Sequence, residues 1–329
     1  MMLTINPENT RFWAENETMR SMFGKVMAQL AKEDPRIVLL VADSGRMCKA
    51  EQFFVPEYPT QYVECGISEQ NMIGIAAGLA RSGRKPVVFA FSPFITERCL
   101  EQIRLDIAYA GLGVTLVGAD AGIAQATLGV THYGWEDAAV LRVIPGMTIL
   151  CPADHAELVK CLYAAINAEK PTYIRLTGGA GKPSAIYTRD YSFEPGKGIE
   201  LSKGKDVQIF ASGTILDYAQ KAAELLAARD IDAGITDMHT LKPLDETLII
   251  QSANRVSRIV TVEELNIAGG LGTAVAEVLA ENTVKCRLIR IALPDRYPTS
   301  VSTYACMMDQ LGLTPEKIAR TILTSFVKG

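Results

Sequence analysis

The sequence predicts an α/β protein of two domains, each built on a central parallel sheet with helices on both faces. Three observations predict it. Short, nearly unbroken apolar runs alternate with helical patterns in two successive series, as strands buried on both faces do. A stretch bearing Gly, Pro and Lys with little periodicity, 177–205, separates the series. The length, 329 residues, suits about two domains of ordinary size. The expected division is a first domain over 1–180, a linker over 181–204 and a second domain over 205–329.

In the first series Ile37-Val38-Leu39-Leu40-Val41 reads as a buried strand. A short strand follows at 61–64, then strands at 86–91, 114–118, 147–151 and 172–176. Helical patterns fall between them at 19–32, 71–82, 97–109, 135–142 and 154–168. Asp154, following Pro152-Ala153, reads as the N-cap of the last. In the second series, strands at 206–211, 233–237, 258–262 and 286–291 alternate with helices at 215–228, 244–253, 271–280 and 314–324.

Composition narrows the function. A net charge of −4 favours neither a nucleic-acid nor a membrane partner, and no apolar run is long enough to span a bilayer. Residues 1–16 are polar and of mixed charge, unlike a signal peptide. Seven scattered cysteines, an odd number with no Cys-x-x-Cys, fit free thiols in a reducing cytoplasm. Three histidines far apart lack metal-ligand spacing, so no metal site is expected in this chain.

Ligands of open α/β sheets bind at the carboxyl ends of the strands. That edge collects Ala42-Asp43-Ser44-Gly45, Ile67-Ser68-Glu69-Gln70, Ser92-Pro93-Phe94-Ile95-Thr96 and the long loop 119–134 with Thr131-His132-Tyr133. Glu69 opens a small-residue helix just after a short strand, where a carboxylate can meet a flat ligand; a helix-start acid favoured by the dipole would look the same. Phe91 and Phe94 end a strand ahead of a helix, where an aromatic ring can stack on a heterocycle or fill the core. His132 lies on a Gly/Ala/Thr loop, where a histidine that serves a site and one that is merely solvated look the same. His155 and His239 read as structural. Arg98, Arg104 and Arg142 fall in helical patterns and read as ion-pair or interface residues, while Arg175, inside a strand, needs a partner when buried. Gly269-Gly270-Leu271-Gly272 opens a helix and can cradle an anion or allow tight packing. No Walker-type Gly-Lys-Ser/Thr and no Gly-x-Ser-x-Gly elbow occurs.

Over nearly its whole length the chain resembles the C-terminal half of transketolase, and more closely the B subunit of split bacterial transketolases. The resemblance is carried by Gly66-Ile67-Ser68-Glu69-Gln70, Phe94-Ile95-Thr96-Glu97-Arg98, Thr131-His132-Tyr133-Gly134-Trp135-Glu136-Asp137 and Leu141-Arg142-Val143-Ile144-Pro145-Gly146-Met147. In the second domain it is carried by Thr261-Val262-Glu263-Glu264 and the Gly-Gly-Leu-Gly run. It implies a pyrimidine-binding domain of the thiamine-diphosphate (ThDP) fold with a central parallel sheet, then a transketolase C-terminal α/β domain. Glu69 would hydrogen-bond N1′ of the ThDP aminopyrimidine and Phe94 would stack on that ring. Phe91 and Ile67 would lie beside the cofactor, with Asp43 toward its thiazolium end. His132 would face the substrate and bond a sugar oxygen. The implied activity is transfer of a two-carbon ketol unit from a ketose or ketose phosphate to an aldose or aldose phosphate.

In the family an N-terminal domain with a Gly-Asp-Gly run and a downstream Asn holds the diphosphate and Mg²⁺. This sequence has no Gly-Asp-Gly. The resemblance therefore implies a separate A subunit of transketolase N-terminal type, an A2B2 assembly and an active site closed only at the interface. Leu128 stands where ordinary transketolases have an aspartate that contacts sugar hydroxyls, and Gly178 where an arginine grips the sugar phosphate. Arg175 or a partner residue is expected to substitute for that arginine, and the substrate to be a specialised ketose, branched or unphosphorylated at the usual place. Related chemistries share parts of the pattern. The β subunit of a 2-oxoacid dehydrogenase E1 has a similar Ile-Ser-Glu motif, but the 135–147 stretch matches the transketolase style better. A 1-deoxyxylulose-5-phosphate synthase is normally one long chain with its own metal domain. A non-catalytic subunit has no use for the retained Glu69.

Overall fold

The computed structural model describes residues 3–178 and 181–327. Helices α1 (Pro7–Asn16) and α2 (Met19–Glu33) precede β1 (Ile37–Val41). Thr18 and Ser21 close a reciprocal capping box at the start of α2, satisfying donors that a helix end leaves open. Then come α3 (Ala50–Phe53), β2 (Tyr62–Glu64), α4 (Glu69–Arg81), β3 (Lys85–Phe91), α5 (Ser92–Ile95) and α6 (Leu100–Gln102). The chain continues through β4 (Thr115–Ala119), α7 (Asp137–Arg142), β5 (Thr148–Leu150), α8 (His155–Ala168) and β6 (Thr172–Arg175). The second unit holds β7 (Ile199–Ser202), β8 (Val207–Ala211), α9 (Leu216–Ala227), β9 (Ala233–Asp237), β10 (Thr240–Lys242) and α10 (Glu246–Arg255). It ends with β11 (Arg258–Asn266), α11 (Leu271–Glu281), β12 (Arg287–Leu293), α12 (Tyr304–Gln310) and α13 (Pro315–Val327).

The first sheet has the order β10-β5-β6-β4-β3-β1-β2 and the second β12-β11-β8-β9-β7. The expected parallel core is present in both, but each sheet is mixed at an edge. Strand β10 runs antiparallel to β5, so the second unit completes the first sheet, and β7 runs antiparallel to β9. Strand β7 also lies within the segment expected to be a linker. Both are edge strands of only 3 and 4 residues, too short to show an apolar run. The single helix expected over 97–109 is instead a short α-turn, α6, followed by a π-helical turn, Ile103–Ala108, that buries Ile103 and Ile107 and leaves Tyr109 exposed.

Polar groups tie the two units together. Arg142 on α7 pairs with Glu277 on α11, and the Lys242 ammonium donates to the carbonyls of Arg142 (2.7 Å) and Ile144 (2.6 Å). The carboxylate of Asp154, the expected cap of α8, also accepts from the backbone N–H groups of Ile186 and Tyr187, both at 2.8 Å. Beside it the buried Glu157 accepts from the Ala153 N–H at 2.8 Å and the buried Asp237 from the Tyr187 hydroxyl at 2.7 Å. Burial raises both carboxyls, Asp237 to about 7.

Candidate active site

The register of the first sheet brings the candidate residues to one edge. Val41 pairs with Phe89, Phe91 with Ala119 and Gly118 with Arg175. Asp43, Phe91, Asp120 and Thr177 therefore come nearly level where the parallel strands end, about 4.8 Å from strand to strand.

Glu69 is the first residue of α4 and only 4% exposed. Gly66, at φ +66, turns the chain from β2 into the helix, and the Ser68 hydroxyl anchors that turn on the Cys65 carbonyl at 2.7 Å. Glu64 accepts from the backbone N–H groups of Asp43 (2.8 Å) and Gly66 (2.9 Å), holding the Asp43 loop against the turn. Arg98 donates to Glu69 Oε2 at 2.8 Å, and its guanidinium lies 4.2 Å from the centre of the Phe94 ring. No donor among the described residues bonds Oε1, so that oxygen is left for a ligand.

Phe91, Phe94 and His132 form an edge-to-face trio. Ring centres are 5.7 Å apart for the phenylalanines, 5.5 Å for Phe91 and His132, and 5.1 Å for Phe94 and His132. His132 Nδ1 is 2.9 Å from the Thr131 hydroxyl. Glu69 and Phe94 are joined through Arg98, and His132 packs on the same aromatic group. Asp43, at φ +51, is exposed at the end of β1. Ile67 (77% exposed) and Leu128 (51% exposed) are on the surface of this edge and pack against no core.

Arg175 is a correction. Its side chain is 3% exposed, and its Nε lies 2.9 Å from both oxygens of the fully buried Asp137. Its Nη2 donates to the carbonyls of Gly134 (3.0 Å) and Glu264 (2.8 Å). Ser92 and Tyr173 each donate to Asp137 Oδ2 at 2.7 Å. This guanidinium braces the 119–134 loop and the second unit against α7, and it has no free edge to offer a sugar phosphate. The strand position that called for a partner was the informative signal.

The Gly-Gly-Leu-Gly run likewise serves the chain itself. Glu263 on β11 accepts from the backbone N–H groups of Leu271 (2.6 Å) and Gly272 (2.7 Å) at the mouth of α11. A Cβ on Gly270 would come within 2.1 Å of that carboxylate, so the close approach requires glycine. Burial still pushes the Glu263 carboxyl up to about 7. His155 and His239 are buried, and burial lowers both to about 4, leaving neutral rings in structural roles.

Sequence reading missed one pair at this edge. Arg20 at the start of α2 donates to Asp120 Oδ2 at 3.0 Å, and Gln125 bonds the same oxygen. Asp120 follows β4 directly, in the left-handed region at φ +54, with its side chain 1% exposed. Its Oδ1 is buried without a partner. Among the described residues no group of three or more His, Cys, Asp or Glu side chains is placed to hold a metal ion.

Comparison with known proteins agrees with this fold. The family model for the transketolase pyrimidine-binding domain matches residues 15–182, and that for the transketolase C-terminal domain matches 196–318. This chain belongs to the transketolase family. It is 37% identical over 310 residues to the apulose-4-phosphate transketolase B subunit of Phocaeicola vulgatus, covering 94% of this chain and 97% of that one. It is 36% identical over 307 residues to a 6-deoxy-6-sulfo-D-fructose transketolase subunit from a Clostridium species, covering 93% and 94% of the two chains. A split-gene transketolase, solved as an inactive β4 tetramer, superposes with a TM-score of 0.82 at 35% identity, covering 93% of this chain and 97% of that one. The transketolase relationship accounts for both sheets.

Proposed function

We propose that this chain is the B subunit of a ThDP-dependent split transketolase that moves a two-carbon ketol unit from a ketose to an aldose. One observation carries the reading: a buried carboxylate with one oxygen free, beside an aromatic trio containing a histidine, at the carboxyl edge of a transketolase-family sheet. A planar, nitrogen-bearing ring suits such a setting. Glu69 Oε1 would hold the proton at ring N1′ of ThDP, and Phe94, flanked by Phe91, would orient the ring. Ile67 and Asp43 would border the cofactor, and His132 would bond a substrate oxygen. Bound there, ThDP supplies the carbanion chemistry that breaks and remakes the bond beside the ketose carbonyl. The protein's part is to fix the proton at Oε1, orient the ring and exclude water.

The diphosphate and Mg²⁺ fall to a partner of transketolase N-terminal type, in an A2B2 assembly. The subunit naming of the similar proteins supports this. Seven free thiols fit a reducing cytoplasm, and no helix among the described residues is long and apolar enough to cross a membrane. The defining test is a product assay on the chain co-expressed with its partner. Two-carbon transfer from a ketose to an aldose is expected, and acyl transfer to a lipoyl group without ketol transfer would overturn the reading.

Leu128, exposed on the loop that carries His132, tests the substrate side. Leu128→Asp should raise kcat/KM for common ketose phosphates relative to the native donor by about tenfold, the effect of one added charge-assisted hydrogen bond. An unchanged substrate profile would remove Leu128 from substrate selection.

A further inference from the structure

Two arginines at the carboxyl edge of the first sheet meet their carboxylates in different ways. The Arg175 guanidinium is fixed by Asp137 and by two backbone carbonyls. Arg98 is fixed at its backbone instead. Its carbonyl accepts from the Gln70 side chain at 3.1 Å, and its N–H donates to the Pro93 carbonyl at 3.3 Å. Its side chain is 44% exposed, and among the described residues the guanidinium makes one hydrogen bond, to Glu69 Oε2. While bonded there, it lies over the Phe94 ring, 4.2 Å from the centre. A flat, cationic group with N–H donors thus fills the space between Glu69 and Phe94. Any planar ring that bonds Glu69 and stacks on Phe94 needs that same space. Glu69 Oε1 is open to such a ring, but the side of Phe94 that faces Glu69 is covered.

We propose that Arg98 sets cofactor affinity by holding the place of the aminopyrimidine, its guanidinium leaving the space between Glu69 and Phe94 when ThDP binds. This role rests on the transketolase reading above and deepens it. Charge makes the two occupants exclusive. The guanidinium cannot shed its proton, and a ring protonated at N1′ brings a second positive charge to one carboxylate in a poorly solvated setting. The exchange keeps Glu69 neutralised throughout, since a buried carboxylate without a counter-ion is costly and Glu69 is only 4% exposed. The displaced side chain has somewhere to go. Its root is anchored, its tip already reaches solvent, and Glu101, three residues on, is an exposed carboxylate. The consequence is a weaker apparent affinity. Only the fraction of molecules with Arg98 turned away can take up the cofactor, and affinity falls in proportion to that fraction.

The test titrates ThDP with Mg²⁺ into the chain assembled with its partner, by calorimetry for affinity and by stopped flow for rates. Arg98→Ala should bind ThDP about tenfold tighter than the native complex, the gain expected when about one molecule in ten has the site open. The gain should lie in the association rate, with dissociation changed by about twofold or less, because the guanidinium is already out of the filled site. Arg98→Lys keeps the charge but not the flat fork, so its affinity should fall between the two, and it serves should Arg98→Ala not fold. In a Glu69→Gln background the guanidinium has lost the charge that holds it, and Arg98→Ala should gain about threefold or less. An affinity unchanged or weakened by Arg98→Ala, a gain carried by dissociation alone, or an undiminished gain in the Glu69→Gln background would each overturn the proposal. A native complex that binds no ThDP would overturn the ThDP reading and the proposal with it, a different failure from binding that Arg98→Ala leaves unmoved.

Discussion

Glu69→Gln will lower the turnover of the assembled enzyme by about 10²–10⁴-fold, the range in which a positioned proton-transfer group contributes. The amide has the shape of the carboxylate and can still accept from Arg98 at the Oε2 position, where the native bond is 2.8 Å. What it loses is the ability to take and return a proton at Oε1. Because Glu69 is buried at a helix start and not in an apolar layer, the variant should fold and assemble as the native chain does. Steady-state kinetics with size-exclusion chromatography separate the two effects. Near-native turnover would take Glu69 out of the mechanism.

Asp137→Ala carries the second large effect, on stability. Asp137 is fully buried and neutralises Arg175, which cannot shed its charge to escape burial. Removing the carboxylate leaves that cation without a counter-ion and strands the Ser92 and Tyr173 hydroxyls that now bond Oδ2. The expected cost is about 3–5 kcal/mol, read as a fall in Tm of about 6 °C or more. The same geometry corrects the expectation that Arg175 grips sugar phosphate. A Tm within a degree of the native value would show that the pair does not brace the loop and the second unit as described.

The parallel cores were legible because strands such as β1 and β4, buried at every position, leave unbroken apolar runs. Strands β7 and β10 were not, because short edge strands carry no such signature and their pairing is a tertiary fact. The candidate site was legible through motifs that put Glu69, Phe94 and His132 at one sheet edge. What the sequence did not show was which charges meet. Arg98 and Glu69 are 29 positions apart and Arg20 and Asp120 are 100 apart, distances over which no periodicity speaks. For Arg175, burial in a strand correctly demanded a partner, while its identity as Asp137 came only with the fold. The Gly-Gly-Leu-Gly run shows the same limit. An anion cradle was legible, but not that the anion is the chain's own Glu263.

The proposed cofactor site, completed only by two polypeptides, is tested most directly by calorimetry of ThDP with Mg²⁺, titrated into the purified chain and into its complex with the partner. The split site predicts binding to the chain alone at least about a hundredfold weaker than to the complex, a difference of about 2.7 kcal/mol, with little dependence on Mg²⁺. Tight, Mg²⁺-dependent binding by the isolated chain would contradict it.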